Sequence, residues 1–472
     1  MNTIAAGLLS ISLSVASSGV AAADTRLLDA VARGDRTAVR ELLRNHADVD
    51  SAQPDGSTAL MLAVERNDVE LATLLVRAQA RVNAANDYGA TALSVAASNG
   101  NSALITLLLE AHADPNKALL SGETPLMTAV DAGNAAAARL LLAHGADVNA
   151  RETKGGQDAL MWAAANREPA IVTLLLAHGG DPRARSKRGF TPLLFAAQQG
   201  DVESGRLLLQ AGSDVNDRSA IDRKTALVVA AASGSRDFCA LLLDKGANPD
   251  LADDGGFTAL HYAAMAGNGA DIVRALLAQG AQRNPRTTKD SREYVYAGVN
   301  LTGATPLFFA ASRGNVETVR ALLASGADPF MTTDKGTAPL HVATWGGSPY
   351  AGDWTEDQKK NLLDVTRLLV EKGADVNSTG EHGWTALHGA AYKGVDAVVQ
   401  FLVQQGARLD VFDEYGQTPL SIANAVITPG SKDAYYQSSR VVRKSTSDLL
   451  LKLGAKPLSE SGVQIFDLFY KP

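Results

Sequence analysis

The nine residues 189–197, Gly-Phe-Thr-Pro-Leu-Leu-Phe-Ala-Ala, decide the fold of this chain because close variants of them recur along most of its length. The leucine of the shared Thr-Pro/Ala-Leu phrase stands at Leu60, Leu93, Leu126, Leu160, Leu193, Leu227, Leu260, Leu307, Leu340, Leu387 and Leu420. Eight of the ten intervals are 33 or 34 residues, and the other two are 47. A fixed period of this size predicts a stacked repeat array rather than a set of separate globular domains.

Each repeat carries the signals of two short helices. Thr191 stands where a hydroxyl can accept a hydrogen bond from an exposed helix amide, and Pro192 follows at the first helical position. Alanine pairs allow helices to approach closely, and leucine rows at helical spacing predict a shared core. In most repeats a glycine ends the second helix, where a left-handed residue is favoured. His46, Gln79 and His112 hold that position in the first repeats, and we expect local strain or altered turns there.

These phrases resemble the ankyrin family, whose period is about 33 residues and whose signature is T-P-L-H-x-A. The resemblance is clearest at 258–264, Thr-Ala-Leu-His-Tyr-Ala-Ala, at 385–391, Thr-Ala-Leu-His-Gly-Ala-Ala, and in the closing phrase 141–149. It implies an all-α repeat solenoid, an ankyrin array of about 12 helix-turn-helix units with β-hairpin-like fingers, over residues 24–457. The first unit, residues 24–50, lacks the Thr-Pro-Leu phrase, as expected of an N-terminal cap.

Composition and motifs argue against several kinds of chemistry. The net charge of −7 provides no basic surplus for nucleic acid. Cys239, the only cysteine, lies in an apolar helical phrase and is predicted to be a buried small hydrophobe. No Gly-Lys dipeptide, H-E-x-x-H or C-x-x-C occurs. We therefore predict no catalytic, cofactor-binding or metal-binding residues, and we do not expect an enzyme.

Three histidines, His261, His341 and His388, share one position of the repeat. The family resemblance implies that they are structural and form hydrogen bonds between repeats. Equivalent side chains in stacked repeats lie roughly 10 Å apart, whereas ligands that share a metal ion lie about 2 Å from it. This spacing disfavours a metal site.

The first 23 residues have the composition of a signal peptide. Residues 1–23 contain no charged side chain, run apolar from residue 4 to residue 15, and end in Ala-Ala-Ala. We expect cleavage after Ala23 and a periplasmic or secreted protein. Residues 1–3 lack Lys and Arg, and the alternatives are an uncleaved anchor and a mis-assigned start. No other stretch is apolar for long enough to span a membrane.

Insertions interrupt the repeat in the C-terminal third, at about 285–302, 347–360 and 425–444. Together with the residue that precedes the second insertion, they supply the aromatic residues Tyr294, Tyr296, Trp345, Tyr350, Trp354, Tyr435 and Tyr436. Exposed Tyr and Trp are typical anchors of protein interfaces, and we hypothesise that these residues bind a partner. The alternative is that the inserts fold back over the core. The apolar tail, residues 458–472, is predicted to pack on the last repeat, with a docking peptide as the alternative.

Basic residues recur on three successive predicted fingers. They are Arg151 and Lys154, then Arg183, Arg185, Lys187 and Arg188, then Arg218, Arg223 and Lys224. A stripe of positive potential on an acidic protein favours an acidic partner. The alternative is that these are ordinary solvated tips, since acidic residues are interspersed among them.

We therefore predict a monomeric protein-protein interaction scaffold in the bacterial periplasm or outside the cell. It would bind one or more proteins through its concave finger and helix face and through the aromatic inserts. Resemblance to exported bacterial ankyrin proteins suggests envelope redox or stress enzymes as partners. The alternatives are a secreted effector that acts on another cell and an enzyme whose site is built from the inserts.

Overall fold

The computed structural model describes residues 25–289, 300–345, 355–425 and 442–458. In these residues twelve pairs of helices follow one another, divided between two compact units that meet in sequence at Lys154 and Gly155. The predicted signal peptide and all but the first residue of the predicted tail lie outside the described residues. No helix in the described part of the chain is long and apolar enough to cross a membrane.

The first unit contains four helix pairs. Its first helices are α1 (Arg26–Arg33), α3 (Ala59–Glu65), α5 (Ala92–Asn99) and α7 (Pro125–Asp131). Its second helices are α2 (Arg36–Arg44), α4 (Val69–Arg77), α6 (Ser102–Glu110) and α8 (Ala135–Ala143). First helices contact first helices of the neighbouring pair, and second helices contact second helices, as a repeat array requires.

The second unit contains eight pairs. Its first helices are α9 (Ala159–Ala165), α11 (Pro192–Gln199), α13 (Ala226–Ala232), α15 (Ala259–Met265), α17 (Pro306–Ser312), α19 (Pro339–Trp345), α21 (Ala386–Lys393) and α23 (Pro419–Ala423). Its second helices are α10 (Pro169–Ala177), α12 (Val202–Gln210), α14 (Arg236–Asp244), α16 (Ala270–Ala278), α18 (Val316–Ala324), α20 (Glu356–Glu371), α22 (Asp396–Gln404) and α24 (Lys444–Lys452). A short 3-10 helix lies at Glu381–Gly383.

One second helix departs from the period. Helix α20 has 16 residues, whereas the other second helices have nine. Its first residues, 356–360, are the last part of the second predicted insertion. Thr355 caps α20 by accepting from the amide of Gln358, whose side chain in turn accepts from the amide of Thr355. Local capping therefore extends this helix toward the insertion.

The predicted helix starts are confirmed. The hydroxyl oxygens of Thr58 and Thr191 each accept from the amide three residues later, at 3.3 and 3.4 Å. Asp158, which replaces threonine in its repeat, accepts from the amide of Met161 at 2.9 Å. Each cap satisfies a backbone donor that the first turn leaves without a helical partner.

Of the two outcomes expected at these helix ends, strain and altered turns, the structure shows strain in an unaltered turn. Gly145 has φ 86°, in the left-handed region that glycine tolerates. His46, Gln79 and His112 adopt the same conformation with φ of 59°, 67° and 64°. These three side chains are exposed, so packing does not compensate for the backbone strain.

The core lies between the helix layers and consists of small and aliphatic side chains. Ala96 and Ala97 of α5 and Leu104 and Leu108 of α6 are fully buried, and the same pattern recurs in later repeats. Cys239 is also fully buried, and burial raises the pKa of its thiol to about 12. It therefore acts as a small hydrophobe rather than as a reactive thiol.

The fingers, which are the loops between helix pairs, are each closed by a backbone hydrogen bond in the two examples that follow. In one finger the amide of Ser186 donates to the carbonyl of Phe190 at 2.9 Å, and in another Asp253 donates to Phe257 at the same distance. In the described residues, bridges of β type outside the helices are limited to Ala52 with Thr58 and Arg218 with Thr225. The fingers are therefore hairpin-like in hydrogen bonding, but they do not build a sheet.

Candidate protein-interaction surface

Most of the aromatic residues predicted to bind a partner lie outside the described residues. These are Tyr294, Tyr296, Tyr350, Trp354, Tyr435 and Tyr436. Their role stays a prediction. Trp345 and the residues that flank the inserts are described, and they show where the inserts leave the repeat array.

Trp345 is the last residue of α19 and packs against an aromatic cluster. Its ring stacks on that of Trp384, with centroids 4.5 Å apart and planes 21° apart. Trp384, Tyr392 and Ile422 form the buried part of the cluster, and Trp345 is only partly buried. One face of Trp345 is thus fixed by the core, and the side chain as a whole remains partly exposed.

Trp384 is a residue that the sequence analysis did not select. It is 3% exposed, and its Nε1 donates to Oδ2 of Asp413 at 3.0 Å. A signal for it exists in the sequence, because aromatic residues also precede the capping threonine at Phe190 and Phe257. Oδ1 of Asp413 accepts from two further backbone amides, although burial raises the pKa of this carboxyl. Trp384 is therefore held by a finger of the next repeat.

The described ends of the three insertions converge on the repeat that contains Trp384. At the C-terminal end of the first insertion, the amide of Asn300 donates to Oε2 of Glu381 at 3.1 Å. Before the second, Trp345 stacks on Trp384. At the C-terminal end of the third, Nε of Arg443 donates to the carbonyl of Tyr392 at 3.4 Å. One repeat thus receives contacts from the borders of all three insertions, although the insertions are far apart in sequence.

A small cleft lies beside this cluster. It is lined by Thr337, His341, Trp345, Gly380, Glu381, Trp384, Thr385 and Gly389. Glycine at 389 permits close packing, because a Cβ there would lie 2.7 Å from Oγ1 of Thr344. The cleft combines two indole rings with the carboxylate of Glu381, and it is far smaller than a ligand pocket.

The histidine column is structural, as the family resemblance implied. His261 Nδ1 accepts from the amide of Thr258 at 3.1 Å, so its proton is on Nε2, which donates to the carbonyl of Ala304 at 3.3 Å. His388 makes the equivalent bonds to Thr385 and to the carbonyl of Gln417.

Burial lowers the pKa of both His261 and His388 to about 4 and also lowers the pKa of His341. The three rings are therefore neutral at physiological pH. In the part of the chain that the structure describes, no group of three or more His, Cys, Asp or Glu side chains could hold a metal ion.

A buried cationic group lies at the other edge of the cluster. Lys393 is 2% exposed, and its Nζ lies 5.5 Å from the centroid of the Tyr392 ring. Burial and the charge of Arg443 lower the pKa of Lys393 to about 8. Arg443 packs over Gly394, where an added Cβ would lie 2.8 Å from its Cδ. These contacts join α21 to the residues that precede α24.

The basic residues of the second unit are largely engaged in contacts between fingers. Nε of Arg183 donates to the carbonyl of Gly212 at 2.8 Å. Arg185 donates to the carbonyl of Arg218 at 2.9 Å and pairs with Asp217. Lys187 and Arg188 are exposed. Part of the predicted stripe therefore holds neighbouring fingers together, and its role in partner binding stays a prediction.

On the following finger, two of the cations also have acidic neighbours. Arg223 lies 3.7 Å from Asp254, and Lys224 lies 3.2 Å from Asp222. Such exposed pairs contribute little to stability, but they reduce the net positive potential of this finger.

Comparison with known families gives one consistent result. The family described as ankyrin repeats (3 copies) matches residues 27–118, 107–186, 152–219, 193–287, 290–351 and 358–428. These segments together cover most of the chain.

Individual relatives match about half of it. Human Ankyrin repeat and SOCS box protein 16 is 30% identical over 49% of this chain and 47% of its own length. Bovine Ankyrin repeat and SOCS box protein 3 is 34% identical over 43% of this chain and 34% of its own length. The chain thus spans about half or less of the length of these curated relatives. The solved ankyrin repeat domain of Bcl-3 is 30% identical, with a TM-score of 0.43, over 46% of this chain and 98% of that domain.

Proposed function

Because the chain belongs to the ankyrin-repeat family, we propose that it is a protein-interaction scaffold of the bacterial periplasm or the extracellular space. It holds partner proteins through the finger and first-helix side of its repeats and through the aromatic inserts of its C-terminal third. Envelope redox or stress enzymes are the partner class that we expect.

The convergence of the insertion borders on the Trp384 repeat carries the proposal. An interface needs a rigid base and accessible aromatic anchors. The buried Trp384 ring and the partly buried Trp345 ring stacked on it provide a fixed base, and the second insertion begins two residues after Trp345. The sequence adds Tyr350 and Trp354 within that insertion. Aromatic residues of this kind account for much of the binding free energy of protein interfaces.

The proposed location depends on the first residues of the chain. An uncharged segment, apolar from residue 4 to residue 15 and ending in three alanines before Asp24, has the features of a cleavable export signal. N-terminal sequencing of the protein from its own organism tests the cleavage. A mature chain that begins at Asp24 supports export, and a chain that retains residues 1–23 contradicts cleavage.

Affinity capture with matched variants tests the interaction. The full chain carrying Tyr350→Ala and Trp354→Ala should lose partners that the unchanged chain retains. Tyr88→Ala removes an exposed tyrosine in the first unit, at 63% exposure, and serves as the control. Substitution rather than deletion is preferable because part of this stretch belongs to α20. Equal partner recovery by all three proteins would show that these two aromatic residues do not bind.

Cell fractionation separates a resident scaffold from a secreted effector. A periplasmic scaffold should be recovered with the periplasmic fraction together with its partner, whereas an effector should appear in the medium or in a recipient cell. Recovery of the mature chain only in the cytosol would contradict both.

A further inference from the structure

One position of the repeat exposes aromatic rings at two neighbouring repeats. The fourth residue after the helix cap is Trp162 in α9 and Phe195 in α11, and both side chains are partly exposed. Nε1 of Trp162 donates to Oε1 of Gln157 at 3.1 Å, and the ring of Phe195 lies 5.5 Å from that of Phe190. Since Gln157 and Phe190 precede the caps, these rings lie in the angle between finger and first helix.

In later repeats of the second unit, the side chain at the same position is buried. Val229, Tyr262 and Phe309 hold it in the next three repeats, and each is buried, with Phe309 fully so. Tyr262 and Phe309 are covered by Phe257, whose ring centroid lies 5.8 and 5.4 Å from theirs. The partly exposed rings of α9 and α11 are therefore a local feature, not a general property of the repeat.

The finger beside these rings is strongly basic. Between residues 183 and 188 it carries four cations and no acidic residue, in a chain of net charge −7, although Arg185 pairs with Asp217 of the next finger. Arg183 and Arg185 are fixed by the bonds to Gly212 and Arg218 described above, while the side chains of Lys187 and Arg188 are exposed. A fixed positive field beside an apolar surface attracts acidic groups and repels basic ones.

We propose that Trp162, Phe190 and Phe195, together with the 183–188 finger, form a docking site for an acidic segment of a partner protein that carries apolar anchor residues. The inference rests on the proposed scaffold function and specifies the chemistry of one partner segment. The apolar anchors would contact the three rings, and the acidic groups would face Lys187 and Arg188.

Two peptide probes test the charge preference. Each is a fluorescein-labelled peptide of about twelve residues, long enough to cross two repeats. The acidic peptide contains three leucines separated by Asp and Glu, and the basic peptide contains three leucines separated by Lys and Arg. Fluorescence anisotropy with the full chain should show saturable binding of the acidic peptide and much weaker binding of the basic one. Binding should weaken as salt increases, because the exposed charges are screened.

Substitutions test the residues. Phe195→Ala should weaken binding of the acidic peptide about tenfold or more, as expected for an aromatic anchor. Arg188→Glu should weaken it severalfold at low salt and less at high salt. The controls are Leu120→Ala, which removes a side chain that is 76% exposed, and Arg139→Glu, which reverses an exposed charge on α8. Unfolding curves of each variant confirm that the fold is retained.

The results separate this inference from the proposed function. If neither peptide binds, if both bind equally, or if Phe195→Ala and Arg188→Glu bind as the controls do, the docking site is wrong, even where the full chain still captures partners through its inserts. If the acidic peptide binds as expected but capture recovers no partner, the docking chemistry holds and the scaffold proposal fails.

Discussion

Glycine and histidine at equivalent helix ends should respond oppositely to substitution. Gly145 and His112 each follow a second helix, with φ of 86° and 64°. The two carbonyls have matched partners, since Nδ2 of Asn116 donates to Gly145 at 3.0 Å and Nδ2 of Asn83 donates to His112 at 3.1 Å. We expect Gly145→Ala to destabilise the first unit and His112→Gly to stabilise it.

The magnitude follows from the backbone alone. A Cβ added at Gly145 would meet nothing within 4 Å, so no steric clash contributes. The left-handed conformation costs an L-residue roughly 1–2 kcal/mol, and the greater freedom of glycine in the unfolded chain offsets about 0.5–1 kcal/mol of this. Each substitution should therefore change the local free energy of unfolding by about 1 kcal/mol, negative for Gly145→Ala and positive for His112→Gly.

Native-state hydrogen exchange is the suitable assay because a repeat array need not unfold in one step. The reporters are the amides that close the two helix ends. Ala146 donates to the carbonyl of Leu141 at 3.0 Å, and Ala113 donates to that of Leu108 at 2.9 Å. Protection should fall about fivefold at Ala146 in Gly145→Ala and rise by a similar factor at Ala113 in His112→Gly.

Gly267→Ala is the matched control. Gly267 also has open space at its Cβ position, but it does not adopt a positive φ. Alanine there should be neutral or slightly stabilising. The reasoning is refuted if Gly145→Ala leaves protection unchanged, or if Gly267→Ala destabilises its own surroundings to the same extent.

Three further substitutions address the second unit. Burial lowers the pKa of His388 from 6.5 to about 4, so the folded state binds fewer protons than the unfolded state between these values, and the contribution of His388 to stability should fall by up to about 2 kcal/mol between pH 7 and 5. In urea unfolding, His388→Asn should reduce the pH dependence by this amount and leave the contributions of His261 and His341 in place. An equal loss of stability in both proteins over this pH range would contradict the assignment. Gly389→Ala should lower the free energy of unfolding by about 1–3 kcal/mol, because the added Cβ would contact Thr344. Adding Thr344→Ala to the same chain should recover part of the lost stability. An unchanged melting temperature in Gly389→Ala would show that the packing here is not tight. Lys393→Met should raise the free energy of unfolding by about 1–3 kcal/mol at pH 7, because it removes a buried charge. This gain should shrink as the pH rises from about 8 to 10.5, since the unchanged lysine is then neutral in the folded state. Lys452→Met, at an exposed site, should show neither effect.

The repeat and its local chemistry could be predicted from the sequence because each signal acts over a few residues. A threonine that caps a helix or a glycine that ends one needs only its neighbours in the chain. For this reason Asp158 could be assigned as a cap without structural information, and the strain at His46, Gln79 and His112 could be anticipated. The hydrogen bonds that His261, His341 and His388 make to the next repeat could be predicted only from the family resemblance, since they depend on the register of that repeat.

The aromatic surface could be predicted only in part, because its exposure depends on residues far apart in sequence. Trp345 was identified beside an insertion, but its stacking on Trp384 depends on contact between α19 and α21. The charged fingers show the same limitation. The pairing of Arg185 with Asp217 joins two fingers, so a count of basic residues overstates the positive charge that remains available.

The residue four positions after the cap links these observations. Where it is Trp162 or Phe195, the side chain itself provides a partly exposed ring beside a finger. Where it is Gly389, the missing side chain allows the end of α19 to approach α21, and the ring of Trp345 stacks on Trp384 beside it. A small residue at this position thus places an aromatic ring of the previous repeat beside the first helix. We therefore propose that side-chain size at one position of a regular repeat, together with the insertions that border it, sets the interaction surface.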